Sequence, residues 1–249
     1  MSGIRDRLES ILNINNEDLP ILCANAADKE GDIDGSLSTM VVGALRFNGV
    51  ANYILHQDIG GFKTNLTESA GIWMSLYERF EKSEPISESY MSMLSYKSLF
   101  DALASGSIET AKSLASLMGG RDEIEKYHDH PFDYALGYAL RSFVLNDTNN
   151  MEHHWNKFDK ICREKENRDF QGYAHIFLAI IDHDLEAANQ GFTELIKGHK
   201  KQSKGRGVFK DSEDEVLCVW GLGMANLCRS YNLKVDAIPP LIPADLLID

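Results

Sequence analysis

Apolar residues recur at helical spacing along nearly the whole chain. Ile4, Leu8, Ile11 and Leu12 form one stripe, because steps of three and four place side chains on one side of an α-helix. Leu37, Val41, Ala44 and Leu45 form a second, entered through Asp34 or Ser36 as the N-cap. The run 50–55 is short. It reads either as a strand or as a short helix between the breaks at Asn48-Gly49 and Gly60-Gly61. Ala70, Trp73, Met74, Tyr77 and Phe80 predict a helix over 67–82, capped near Thr67 and stopped by Pro85. Ser87 opens the next helix, which carries Tyr90, Met93, Leu94, Tyr96, Leu99, Phe100 and Leu103.

From there a pattern repeats. Residues 102–111 align with 179–188: an apolar helix ends, a polar turn follows (Ser105-Gly106-Ser107 or Asp182-His183-Asp184), and Ser107 or Asp184 caps the next helix. Glu109 and Glu186 fall in that helix's first turn, where the macrodipole favours a carboxylate. A looser copy lies between them. There a helix over 134–145 ends at Asn146-Asp147, and Asn150 caps a helix with Met151, Trp155, Phe158 and Ile161. The period of roughly 35–40 residues is that of helical-pair repeats, although the copies are too degenerate for a tetratricopeptide or ankyrin array.

Residues 199–213 read as a long, exposed, basic loop, after which Asp211 or Ser212 caps a last helix through Val216, Val219, Trp220, Met224, Leu227 and Cys228. Gly221 and Gly223 inside that helix each cost about 1 kcal/mol relative to Ala, which close approach of a neighbour offsets. Prolines extend the segment 238–248, and its apolar content predicts that it packs across the helices. The expected fold is therefore all-α. It is a compact array of roughly ten to twelve helices stacked as αα-hairpins, with an extended C-terminal tail on top. The chain reads as one domain, 1–249, with a possible division into N-terminal helices (1–84) and a hairpin stack with tail (85–249). Trp73, Phe100, Leu103, Phe143, Phe158, Ile180, Phe192, Leu195, Trp220 and Leu227 are the expected core.

Composition sharpens this picture. Hydrophobic residues at 43% and charged residues at 25% of 249 are ordinary for a folded globular chain. Lys+Arg 25 against Asp+Glu 38 leaves −13, the wrong sign for a nucleic-acid binder. The basic cluster is Lys197, Lys200, Lys201, Lys204, Arg206 and Lys210. Setting those six aside leaves 19 basic residues against 38 acidic ones. A body this acidic attracts a basic partner. The start, MSGIRDRLES, has no apolar export signal and no stretch suits a membrane span, so the expected location is the cytoplasm. Cys23, Cys162, Cys218 and Cys228 form no CxxC pair and are expected as free, buried thiols.

Candidate chemistry is sparse. His128, His130, His153 and His154 do not converge as zinc ligands do, and no HExxH or HxE…CxxC pattern is present. In 28–35 the acids suggest a calcium loop, but an EF-hand needs Gly sixth and Glu twelfth. Counted from Asp28 those places hold Ile33 and Thr39, so a solvated loop ending in a helix cap is expected. Phosphate loops and nucleophile elbows are missing as well. Asp182 and Asp184 flank His183 and read first as turn and cap residues. Trp73, Trp155 and Trp220 read as core rather than as a stacking platform. No metal, no cofactor and no catalytic residue is expected.

Residues 173–247 carry a resemblance. The turn 179–188 is followed by Phe192, Leu195 and His199, a variable polar loop, and a helix with Ala225-Asn226-Leu227-Cys228-Arg229 near its end. Then come Tyr231-Asn232-Leu233-Lys234-Val235 and the ending Pro240-Leu241-Ile242-Pro243-Ala244-Asp245-Leu246-Leu247. This third of the chain resembles immunity protein 49, a family of bacterial polymorphic-toxin immunity proteins. The resemblance implies a cytoplasmic α-helical protein that is not an enzyme and that protects its producer by binding a cognate toxin. A basic nuclease is the expected toxin, since an acidic protein opposes a basic surface. The expected contacts are exposed acids on loops and helix starts: Asp28, Glu30, Asp32, Asp182, Asp184, Asp211, Glu213 and Asp214. Two other readings stand beside it. One is a helical-repeat adaptor for an unrelated protein. The other is an α-helical enzyme using scattered residues such as His175, Asp182 and His183. No partnership with nucleic acid or membrane is expected.

Overall fold

The structure, a computed structural model, describes residues 2–28 and 30–249. Among the described residues it is all-helical: α1 (Ser2–Ala27), α2 (Ser36–His56), α3 (Ile59–Glu81), α4 (Tyr96–Ala104), α5 (Ile108–Leu117), α6 (Asp122–His128), α7 (Pro131–Val144), α8 (Met151–Cys162), α9 (Gln171–Asp182), α10 (Leu185–Gln202) and α11 (Val219–Ser230). Chain neighbours pair in space, α1 on α2, α2 on α3, α7 on α8 and α9 on α10, while α11 returns to lie on α4. One apolar cluster runs from Val50 to Leu246, and a smaller one joins Leu8 and Leu12 to Ala51.

Several local expectations are corrected. Residues 50–55 are neither a strand nor a separate helix but the end of α2. Gly49 does not break that helix; it lets α3 approach, since a Cβ there would lie 2.6 Å from the Leu66 side chain. Helix α3 starts at Ile59, well before Thr67. Its cap is Asp58, which accepts the Gly61 N–H at 2.8 Å, so Gly60-Gly61 are its first turn. After Ser87 the chain makes two 3₁₀ turns, Glu88–Met91 and Met93–Ser95, before α4. At the start of α2 the expected Asp34 accepts the Ser36 N–H at 3.0 Å, but it does not act alone. The Asp32 carboxylate takes the Leu37 and Ser38 N–H groups at 2.8 and 3.3 Å from farther back.

The repeated turn has a backbone explanation. Gly106, Asn146 and His183 all sit at positive φ (82°, 52° and 52°). The next residue then reaches back five positions: Ser107 N–H to Ala102 O (3.1 Å), Asp147 N–H to Ser142 O (2.9 Å) and Asp184 N–H to Ala179 O (2.9 Å). This left-handed closure satisfies a carbonyl that the ending helix orphans. It is not peculiar to the repeat, because Ser83 and Asn232 stop their helices the same way. The caps differ: Asp184 accepts the Ala187 N–H at 3.0 Å, whereas the Ser107 and Asn150 side chains cap nothing.

Helix α11 is the most enclosed element, buried from Val219 to Cys228. Its glycines admit neighbours as expected. A Cβ on Gly223 would lie 3.0 Å from Phe100 O on α4, and one on Gly221 would lie 3.1 Å from Ile242 of the tail. The tail docks, with Ile242 and Leu246 wholly buried. Asn226 holds it in place. Its amide donates to Leu103 O at 2.9 Å and its oxygen accepts the Ile248 N–H at 3.0 Å. Residues 199–213 are less loop-like than expected. Helix α10 continues to Gln202, Phe209 turns into the core, and a 3₁₀ turn, Glu213–Glu215, precedes α11 in place of a cap by Asp211 or Ser212.

Candidate functional site

Arg46 is the only formally charged residue between Asp34 and Asp58. Helix α2 carries no other Lys, Arg, Asp or Glu and packs on α1 and α3, so its one guanidinium must find partners where it emerges. It finds three carboxylates. Nε meets Asp101 of α4 at 2.9 Å, Nη2 meets both Asp214 oxygens at 3.0 and 2.8 Å, and Nη1 pairs with Glu213. Burial works against the Arg46 charge, but Asp214 and Asp101 more than offset it, and its pKa lies above the ordinary arginine range. Asp101 pays for the crowding. Burial pushes its carboxyl up to about 6, the nearby Asp214 adds to the rise, and Arg46 and Ser69 only partly oppose it. One cation therefore stands against three acids.

This cluster is the floor of a cleft of about 860 Å³ bounded by α2, α3, α4, the start of α7 and the segment leading to α11. The walls are aromatic: Trp73, Tyr90, Tyr96, Phe132, Phe209 and Trp220. Trp73 meets Tyr90 edge-on at 6.1 Å, and Trp220 meets Phe209 edge-on at 5.2 Å. Trp73 is only partly buried, so the expectation that it is plain core is corrected. At the rim, Asp133 accepts the Tyr96 hydroxyl at 2.9 Å, and Lys97, His130 and Glu166 stand nearby. Carboxylates lining the cleft outnumber its Lys and Arg side chains.

A second concavity adjoins it. Helices α1 and α2 leave a groove of about 670 Å³ lined by Ile11, Leu19, Ile21, Leu22, Met40 and Phe47. Ile21 is 63% exposed and Met40 58%. Gly43 and Glu213 line both the groove and the cleft, so the two border each other there.

The eight acids expected at the surface divide into four groups. Asp28, Glu30, Asp182 and Asp184 are exposed, though Asp28 accepts the Glu30 N–H and Asp184 caps α10. Asp211 is exposed and paired with Arg7 and Lys210. Asp32 and Asp214 are not surface groups at all: both are buried and bound to arginines, Asp32 to Arg79 at 2.8 Å and Asp214 to Arg46. Glu213 is half-buried at the Arg46 cluster. The structure thus brings Glu213 and Asp214 together and leaves the other acids dispersed. Sequence reading missed Arg46, Asp101 and the aromatic walls. Its available signal was an isolated arginine in an apolar helix, which a charge count over the whole chain hides.

The other candidates are placed as follows. His130 caps α7, its Nδ1 accepting the Phe132 N–H at 3.3 Å. His154 stacks on Tyr138, and burial, with His153 and Lys157, lowers its pKa to about 4. His175 pairs with Glu194 at 2.6 Å rather than with Asp182. Cys162, Cys218 and Cys228 are buried free thiols, pushed up by burial, and Cys23 is half-buried. Among the described residues no group of three His, Cys, Asp or Glu side chains is placed to hold a metal ion, and no helix is long and apolar enough to cross a membrane.

Known proteins supply no match. Neither family models, nor curated proteins, nor solved structures resemble the chain at a meaningful level. The likeness to immunity protein 49 rests on the residues given for it above.

Proposed function

We propose that this chain is an immunity protein that binds a basic toxin of its own producer stoichiometrically and blocks the toxin's active site or substrate groove inside the cytoplasm. The observation that carries a basic partner is the aromatic cleft with three carboxylates around the single Arg46 cation at its floor. The formal charge of −13 supports it, because opposite charge steers association. The resemblance carried by the C-terminal third is the reason for reading the partner as a toxin, and a nuclease is the kind of toxin whose basic surface fits. In this reading the chain performs no chemistry of its own. A standard interface buries about 1,600 Å² in total, which is more than the cleft alone offers, so neighbouring surface takes part.

A helical-repeat adaptor for some other basic protein is the second reading, favoured by the paired helices α7/α8 and α9/α10. Co-expression with the toxin gene encoded beside this one separates the two. The immunity reading expects rescued growth and a co-purifying complex whose association slows steeply with salt. A chain that neither rescues nor co-purifies removes it. Binding with an association rate indifferent to salt keeps the function and removes the electrostatic steering.

A further inference from the structure

We infer that the cleft and the α1/α2 groove form one docking surface for a single segment of the partner, with an arginine side chain in the cleft and apolar side chains against Ile21 and Met40. This deepens the immunity reading and rests on it for the identity of the partner, but not for the chemistry of the segment.

Three observations lead there. First, the floor of the cleft is overcharged. Arg46 is shared among Asp101, Glu213 and Asp214, and an arriving cation neutralises charge that the fold leaves unbalanced. A guanidinium suits the place better than an ammonium, because it is planar, weakly hydrated and stacks on aromatic faces. Trp73 and Tyr90, both only partly buried, line the cleft and supply such rings. Second, the groove is mostly apolar, with Asn15, Asp18 and Asn25 among its lining, and it is uncovered: Ile21 and Met40 are more than half exposed on facing helices, an arrangement that marks contact surfaces. Third, the two concavities meet. Glu213 and Gly43 line both, and Gly43, exposed and without a side chain, leaves the passage between them open. Charge complementarity names the occupant's cationic end and the groove names its apolar end. A free small cation would use only the cleft; a peptide segment uses both.

The test uses the full chain and three probes: arginine amide, a short peptide with one arginine flanked by leucines, and the same peptide with citrulline in place of arginine. Citrulline keeps the shape and removes the charge. The readout is the indole N–H resonances, for Trp73 and Trp220 line the cleft while Trp155 does not. We expect arginine amide to shift the Trp73 and Trp220 signals and leave Trp155 unmoved. The arginine peptide should bind more tightly than the amide, and the citrulline twin at least tenfold more weakly than the arginine peptide. Glu213→Gln should weaken both arginine probes, and Met40→Asp should weaken the peptide alone. Failure of arginine amide to shift either indole, or equal binding of the citrulline twin, overturns the cationic subsite. Unchanged peptide affinity in Met40→Asp overturns the joint surface. The outcome is separable from that of the toxin experiment. If the probes bind as expected and rescue fails, the surface serves another basic protein. If rescue succeeds and the probes fail, the toxin uses a different face.

Discussion

Two arginines, one on α2 and one on α3, turn toward the interior and meet carboxylates, with opposite results. Arg79 of α3 pairs with Asp32 and Glu84, both at 2.8 Å, and also donates to the Asp32 carbonyl at 2.5 Å. Asp32 is wholly buried, and it further accepts the Ser38 hydroxyl at 2.6 Å and the Leu37 and Ser38 N–H groups. The pair lines neither the cleft nor the groove, and the network ties the loop before α2 to α3. Arg46 has more acid than it can neutralise, and its cluster faces a cleft. A buried ion pair is a weak source of stability even when balanced. An overcharged one beside open volume is unfavourable for folding and useful to a visitor. The contrast separates an arginine that organises the fold from an arginine that organises a site.

The largest expected effect belongs to the closed network. Asp32→Ala leaves Arg79 buried with one partner fewer and uncaps α2, so unfolding in urea should show a loss of about 3–5 kcal/mol. A loss below about 1 kcal/mol would erase the distinction drawn between the two arginines. Removing Arg46 comes next. Arg46→Met leaves Asp101, Glu213 and Asp214 facing one another, and its destabilisation should be greater at pH 8 than at pH 5, where Asp101 takes up a proton. A pH-independent cost, measured by thermal unfolding, would show that the acids do not repel.

Asp101→Asn should have a smaller and more diagnostic effect. The Asp101 carboxyl is raised from its ordinary 3.8 to about 6 in the folded chain. Between those values the folded state holds a proton that the unfolded state has released, so the wild type loses stability as pH rises through this window and the loss is complete above it. The variant has no such proton. Its melting temperature relative to wild type should therefore climb from pH 4 to pH 7 and level off, and a flat difference would contradict the raised pKa. The smallest change in stability is expected for Glu213→Gln. It removes one surplus acid from a half-buried position and should leave the unfolding free energy within about 0.5 kcal/mol, although the same substitution weakens the arginine probes. A large loss of stability there would move Glu213 into the same class as Asp32.

How much of this was legible in the sequence follows the same division. Helical periodicity revealed the all-α class, the buried face of α11 and the docking of the tail, because burial of a stripe is written in the spacing of apolar residues. Boundaries failed where polar or glycine residues have tertiary roles. Gly49 reads as a breaker but makes room for α3, and Gly60-Gly61 read as a gap but begin a helix capped by Asp58. The site was hidden because its parts are far apart in sequence. Arg46 and Asp214 are separated by 168 positions, and nothing local to either points to the other. Asp32 and Asp214 read as exposed acids, as most aspartates are. Only the position of an arginine across the fold shows that these two are buried.

The left-handed helix stops carry a last consequence. Gly, Asn, His and Ser each occupy this stop somewhere in the chain, so the turn is specified by backbone handedness and not by a side chain. A structure built on such junctions tolerates mutational drift at its corners. Each corner gives up only the modest strain of a non-glycine residue at positive φ, about 1 kcal/mol. Surface positions beside the corners can then diversify while the helices keep their order, and descendants of one ancestor can share a scaffold while retaining few letters in common.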